Sequence, residues 1–167
     1  VMRVILYYDV FDYPVTKDEI EKFTSSSEIL DEIIGEAILS GYIQELNGYY
    51  FLPNRNTIER RIKGNKLAEA YQHKATRNAA IIGNMPFVRC VCISGSMSKG
   101  FMDEKADIDF FVIAHPGRLW IARMFITLYK KFILFNSRKF FCCNYYIDYE
   151  HLLIEDKNIF TAMELAT

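Results

Sequence analysis

The sequence predicts a chain of mixed α/β (α+β) class, built as two modules joined by a long helix. Three observations carry this reading. Helical apolar periodicity runs through residues 1–40 and gives way to a hairpin signature at Asn47-Gly48. Farther on, two short apolar, β-branched runs (87–93 and 106–113) precede a helical stretch over 117–135 and a third strand-like run over 139–148. The charge also changes sign: residues 1–53 hold three basic side chains against ten acidic ones, and residues 54–167 hold seventeen against eleven. Such asymmetry marks modules with different surfaces. The expected divisions are 1–53, a basic connecting helix over 54–84, and 85–167.

Residues 1–12 read as a helix ended by Asp12-Tyr13-Pro14, because Pro14 moves Tyr13 out of helical geometry. Thr16 is an N-cap, and Glu19 three residues on completes a capping box for a short helix through Phe23. A Ser25-Ser26-Ser27 turn leads to a further helix from Glu28 to Ser40. Its apolar positions Ile29, Ile33 and Ala37, then Ile34 and Ile38, recur at helical spacing, and Gly41 caps it. Tyr42–Leu46 and Tyr49–Leu52 flank the Asn47-Gly48 turn. Three helices followed by a hairpin is the order of a winged helix.

The helix before a wing commonly enters DNA, but this one carries Glu28, Asp31, Glu32 and Glu36 and no Lys or Arg. Four carboxylates repel phosphates and release no counterions, so DNA is not an expected partner. The acidic module is expected to pack on the rest of the protein or on a protein partner. Over 54–84, Arg55, Arg60, Arg61, Lys63, Lys66, Lys74 and Arg77 share a helical pattern with only Glu59 and Glu69. They form either a solvated face or a basic wall for an anionic ligand or for the acidic module. Gly64 inside the pattern is expected to mark a kink.

Several function classes fall away on composition. A hydrophobic fraction of 51% excludes a disordered tail, and a net charge of -1 gives no chain-wide case for nucleic acid. The start, Val1-Met2-Arg3, lacks the pattern of a signal peptide. The most apolar stretch, Leu119 to Phe135, is interrupted by Arg123, Lys130 and Lys131 and reads as a buried helix, so no membrane partner is expected. The cytoplasm is the expected location. Cys90, Cys92, Cys142 and Cys143 lack zinc-knuckle spacing and are expected as reduced thiols packed in a core, with a metal or redox site as the alternative. His73, His115 and His151 read as surface or turn residues.

The chemistry concentrates in the third segment. Phe87–Ile93 is a buried-strand run after Pro86, ending in Ser94-Gly95-Ser96-Met97-Ser98-Lys99-Gly100. A second run, Ala106–Ile113, carries Asp107 and Asp109 two residues apart, which alternation places on one strand face. Two like charges among Ile108, Phe110 and Phe111 call for a divalent cation between them, and aligned carboxylates suit Mg2+. Gly95 permits close backbone approach, and Ser96 offers a hydroxyl and an amide to a phosphate oxygen.

A hydrophobic strand ending in Gly95-Ser96, followed by Asp107-Ile108-Asp109, resembles the DNA polymerase beta-like nucleotidyltransferase superfamily over residues 86–150. Tyr8-Asp9-Val10-Phe11-Asp12-Tyr13-Pro14-Val15-Thr16 and Pro116-Gly117-Arg118-Leu119-Trp120 are similar to segments of bacterial proteins that join a winged-helix start to this domain. The resemblance implies a nucleotidyltransferase fold, a mixed sheet flanked by helices, after an N-terminal winged-helix-like module. Those relatives are longer, so the chain is expected to be truncated at its C-terminal end, just after a helix begins near Thr161. The implied activity moves a nucleoside monophosphate from an NTP to an unidentified acceptor. Asp107 and Asp109 would hold one or two Mg2+ ions, and Gly95 and Ser96 would position the β- and γ-phosphates. Lys99 would add charge at the triphosphate, or is simply a solvated loop residue.

Active members of that superfamily carry a third acid on a later strand. Here the strand is about Lys139 to Asp148, and alternation puts Asn144, Tyr146 and Asp148 on one face. Asn144 has the natural mid-strand position, yet an amide cannot accept a proton. Asp148 is the only acid on that face and the candidate third carboxylate, although it lies at the strand end. The rival reading is a nucleotide-binding regulatory or interaction module without catalysis.

Overall fold

The structure is a computed structural model that describes residues 1–24, 29–135, 140–154 and 161. The expected Ser25–Ser27 turn, the start of the last strand at Lys139 and the continuation of a helix beyond Thr161 lie outside those residues. The chain is of mixed α/β class and divides into two compact units, Val1–Lys63 and Gly64–Thr167. The division therefore falls inside the helix read as a connector.

In the first unit, α1 (Met2–Asp9) buries Val4, Ile5, Tyr7 and Tyr8. A two-residue strand that sequence reading missed, β1 (Val15–Thr16), leads into α2 (Lys17–Lys22). The capping box forms as expected. The Glu19 amide donates to Thr16 Oγ1 at 3.4 Å, and the Thr16 amide donates to Glu19 Oε2 at 2.9 Å. Helix α3 (Leu30–Leu39) buries Leu30, Ile34 and Ala37 and leaves Asp31, Glu32 and Glu36 exposed. Gly41, at φ +72°, ends it with the Tyr42 amide bonded back to the Ala37 carbonyl. Strands β2 (Gln44–Leu46) and β3 (Tyr49–Phe51) pair through Asn47 and Gly48, both at positive φ, as a tight hairpin turn requires. The sheet order is β1-β3-β2, all antiparallel.

Helix α4 (Ile58–Gly83) begins in this unit. Its cations, and those just before it, serve the acidic residues of the unit. Arg55 bonds Asp9 at 3.1 Å and Asp12 at 2.9 Å, and Arg60 Nη1 donates to the Phe11 carbonyl at 2.9 Å. Arg61 is buried, stacks 3.6 Å over the Tyr13 ring and donates to Glu19 Oε1 at 2.8 Å. For these three residues the basic-wall reading, not the solvated face, describes the contacts.

In the second unit, α4 runs on without a break at Gly64. That glycine answers a packing demand: a Cβ there would overlap the Phe101 ring. Next come β4 (Val88–Ser94), a 3-10 helix (Gly95–Lys99), β5 (Asp109–Ala114), α5 (Leu119–Phe132) and β6 (Cys142–Asp148). The sheet order is β4-β5-β6, with β4 antiparallel and β6 parallel to β5, so α5 forms the crossover. Phe110 and Val112 of β5 face a core shared with Ala75 and Ile82 of α4, Ile126 of α5 and Phe141. Asn78 Nδ2 donates to the Phe140 carbonyl and ties α4 to the approach to β6.

Two expectations need correction. Helix α5 is buried on one side only: Ala122 and Ile126 face the core, while Trp120, Met124, Leu128 and Phe132 are exposed at successive helical turns. Cys90 and Cys92 are also exposed, not packed in a core, and all four cysteines are free thiols. The three histidines are exposed as expected. No described helix is long and apolar enough to cross a membrane.

Candidate functional site

The candidate site lies where β4 ends beside the start of β5. Ser94 pairs with Asp109, and the chain then turns at Gly95 into the 3-10 helix. Gly95 has φ +67°, and a Cβ built on it would stand 2.8 Å from Asp109 Oδ2. The position thus needs glycine twice, for its left-handed backbone and for closeness to the carboxylate. Ser98 Oγ donates to the Gly95 carbonyl at 2.8 Å, and the Phe101 amide donates to the Ser96 carbonyl at 3.1 Å. The Met102 amide reaches the Gly64 carbonyl at 3.1 Å, and Met97, Phe101 and Met102 are buried. The loop is therefore held by α4 and the core before any ligand arrives. Ser96 and Lys99 sit on this 3-10 helix, both partly buried.

Asp107 acts on Asp109 through its charge, though the two are not strand neighbours. Strand β5 starts at Asp109, so Asp107 lies in the segment before it, and strand alternation does not relate the two. Asp107 is partly buried, and its charge acts on Asp109. Burial chiefly pushes the Asp109 carboxyl above its ordinary value, and the Asp107 charge adds to that push. Hydrogen bonds from Cys142 and Asn144 oppose it.

Asn144 Nδ2 donates to Asp109 Oδ1 at 2.6 Å, and the Cys142 thiol lies 3.0 Å from Asn144 Oδ1. The register explains how Asn144 gets there. Asp109 pairs with Cys142 and Phe110 with Cys143, but Phe111 pairs with Tyr145, leaving Asn144 as the extra residue of a bulge. Asp148 is not part of the site: the bulge turns it to the other face, and the length of the strand separates it from Asp109 with or without the bulge. Alternation beyond it puts Tyr145 beside Phe111, their rings stacked with centroids 5.4 Å apart, and returns Tyr146 to the core. Asp148 pairs with Ala114 at the other end of β5, about 17 Å along the strand from Asp109 at ordinary strand rise. It accepts from the Glu150 and His151 amides, both at 3.0 Å, and ends the strand. The candidate third carboxylate is a turn residue.

Among the described residues no three His, Cys, Asp or Glu side chains converge in a form that could hold a metal. Mg2+ keeps several waters and is commonly bound through one or two carboxylates and substrate phosphates. Asp109, with the charge of Asp107 acting on it and a backbone with room only for glycine beside it, offers oxygen ligands of that type. Sequence reading took Cys142 for a packed thiol, since nothing in its aromatic run marks it for the site, and took Gly64 for a kink, not for a close contact with Phe101. No family model, curated protein or solved structure matches the chain.

Proposed function

We propose that the unit Gly64–Thr167 is a nucleotidyltransferase-like domain that binds an NTP with Mg2+ and passes its nucleotidyl group to a hydroxyl or amine acceptor. The observation that carries this reading is the close approach of Gly95 to Asp109 at the paired ends of β4 and β5, where the charge of Asp107 also acts on Asp109. In it, Gly95 and Ser96 receive the β- and γ-phosphates, Asp107 and Asp109 hold the cation, and Lys99 adds positive charge. A cation held by Asp107 and Asp109 would neutralise charge on the triphosphate and favour departure of pyrophosphate. Asn144 orients Asp109 by donating to one oxygen and leaves the other toward the loop. In the first unit, the helices followed by the β2–β3 hairpin support a winged-helix-like module whose exposed acidic α3 suits a protein partner better than DNA.

A second reading, nucleotide binding without transfer, is favoured by Asn144, because an amide at that position supplies no general base. Calorimetric titration of each NTP with and without Mg2+, in the wild type and in Asp107→Asn/Asp109→Asn, tests the site. Mg2+-dependent binding that vanishes in the double variant supports it. Absence of binding in the wild type, or its survival in the variant, overturns it. Pyrophosphate release with hydroxyl and amine acceptors then separates the two readings.

A further inference from the structure

The four thiols were expected in a core, and two of them stand in the open. Strand β4 carries its own bulge: Val88 pairs with Ala114 and Cys90 with Ile113, so Arg89 is the extra residue. Beyond it, Val91 and Ile93 pack against the core, and alternation turns Cys90 and Cys92 to the opposite face of the sheet. Both side chains are exposed, and their sulfurs lie 3.8 Å apart.

That separation discriminates between fates for a thiol pair. A disulfide requires sulfurs about 2.05 Å apart, so oxidation would need the two side chains to leave the positions they hold here. Two thiolates on one tetrahedral cation, each at about 2.3 Å, stand roughly 3.8 Å from one another. The pair already has the bite of a single metal ion, and a strand paired along β5 holds it there without a change of backbone. Its register partners, Ile113 and Phe111, are apolar and supply no competing ligand.

We propose that Cys90 and Cys92 form a bidentate thiolate site for one thiophilic divalent cation of the Zn2+ and Cd2+ class. Each thiol gives up its proton to solvent, each sulfur donates a lone pair to the ion, and water fills the remaining positions. With no third ligand of the His, Cys, Asp or Glu type among the described residues, the ion is exchangeable and stays accessible to solvent. The site stands apart from the carboxylates in chemistry, since thiolates select soft ions where Asp107 and Asp109 favour hard ones.

The probe is Cd2+ alone, added to the full chain under a non-thiol reductant and followed by the ultraviolet thiolate-to-cadmium charge-transfer band, which carboxylates do not produce. The expected result is saturation at one ion per chain. Cys90→Ser and Cys92→Ser each weaken binding roughly 100-fold, since chelation by two ligands becomes binding by one. Cys142→Ser/Cys143→Ser leaves the band in place. Thermal melts of the exposed serine variants verify that they remain folded. A band that persists in Cys90→Ser/Cys92→Ser, that is lost with Cys142 and Cys143, or that saturates at one ion per two chains overturns the proposal.

Discussion

Glu19 in the first unit and Asp109 in the second are both carboxylates held partly out of water, and their neighbours differ in sign. Glu19 has donors on both carboxylate oxygens. Its Oε1 accepts from Arg61 at 2.8 Å and from the Tyr13 hydroxyl at 2.9 Å, while Oε2 accepts from the Thr16 amide. Asp109 has an amide on one oxygen, a glycine backbone against the other and a second aspartate nearby. In the first unit charge completes the fold. In the second it is left as repulsion that a cation would relieve, which costs stability in the free protein and gives a ligand something to do.

If Glu19 serves the fold alone, its removal should be the most damaging single change. Arg61 is 4% exposed, and its Nε and Nη1 have no hydrogen-bond partner among the described residues. Burial lowers its pKa to about 10, so it remains charged at neutral pH. Glu19→Ala therefore leaves a buried cation without its carboxylate, and denaturant melting should register a loss of about 3–5 kcal/mol. Replacing both partners, Glu19→Met/Arg61→Met, should cost less than the alanine change. A double replacement as damaging as the single one would show that packing at Tyr13, not charge, governs the site.

Next in size is Gly95→Ala, compared with Gly100→Ala. Both glycines have φ +67°, but only Gly95 has an atom, Asp109 Oδ2, within reach of a new Cβ. Backbone strain alone should cost each about 1 kcal/mol. The added pressure on the carboxylate should bring Gly95→Ala to about 2–3 kcal/mol and weaken Mg2+-dependent NTP binding, which Gly100→Ala retains. Equal effects in calorimetry would remove the close approach from the argument.

Much of this arrangement is legible in the sequence, and the exceptions share a cause. Thr16 with Glu19, and Asn47 with Gly48, are local devices in which neighbours along the chain satisfy one another, so spacing alone reveals them. Gly95, Ser96, Asp107 and Asp109 are recognisable because residue types and order carry the signal. The bulges at Arg89 and Asn144 exist only through the partner strand, and each reverses alternation for everything beyond it. That reversal is why Cys90 and Cys92 face solvent, whereas Asp148 is kept from the site by its distance along the strand. Strand β1 is too short to display any period and depends on β3 for its existence. Gly64 marks a contact with Phe101, far along the chain, that a helical pattern cannot announce.

Asn144→Asp would sharpen the contrast between the units. A carboxylate replacing the amide that now donates at 2.6 Å should drive Asp109 further up and cost the metal-free protein about 1 kcal/mol at neutral pH. Added Mg2+ should return that stability. Pyrophosphate release gained by this variant would identify the missing acid as the reason for an inactive wild type. Release already present in the wild type would mean that Asn144 is compatible with transfer.

The smallest effect is also the one with opposite sign to the first. Asp109→Asn keeps an oxygen to accept from Asn144 and removes the charge that burial and Asp107 disfavour. Because the folded protein holds this proton more tightly than the unfolded chain does, the wild type loses stability as pH rises from the ordinary carboxylate value through the raised one. The variant should lack that decline, match the wild type below the ordinary value of 3.8, and exceed it at neutral pH. The gain should be at most about 1 kcal/mol, since the carboxyl is partly open to solvent and screened. Thermal melts across pH measure it, and Mg2+ should stabilise the wild type while leaving the variant unmoved. A variant less stable than the wild type at neutral pH would mean that Asp109, like Glu19, is held by the fold for the fold.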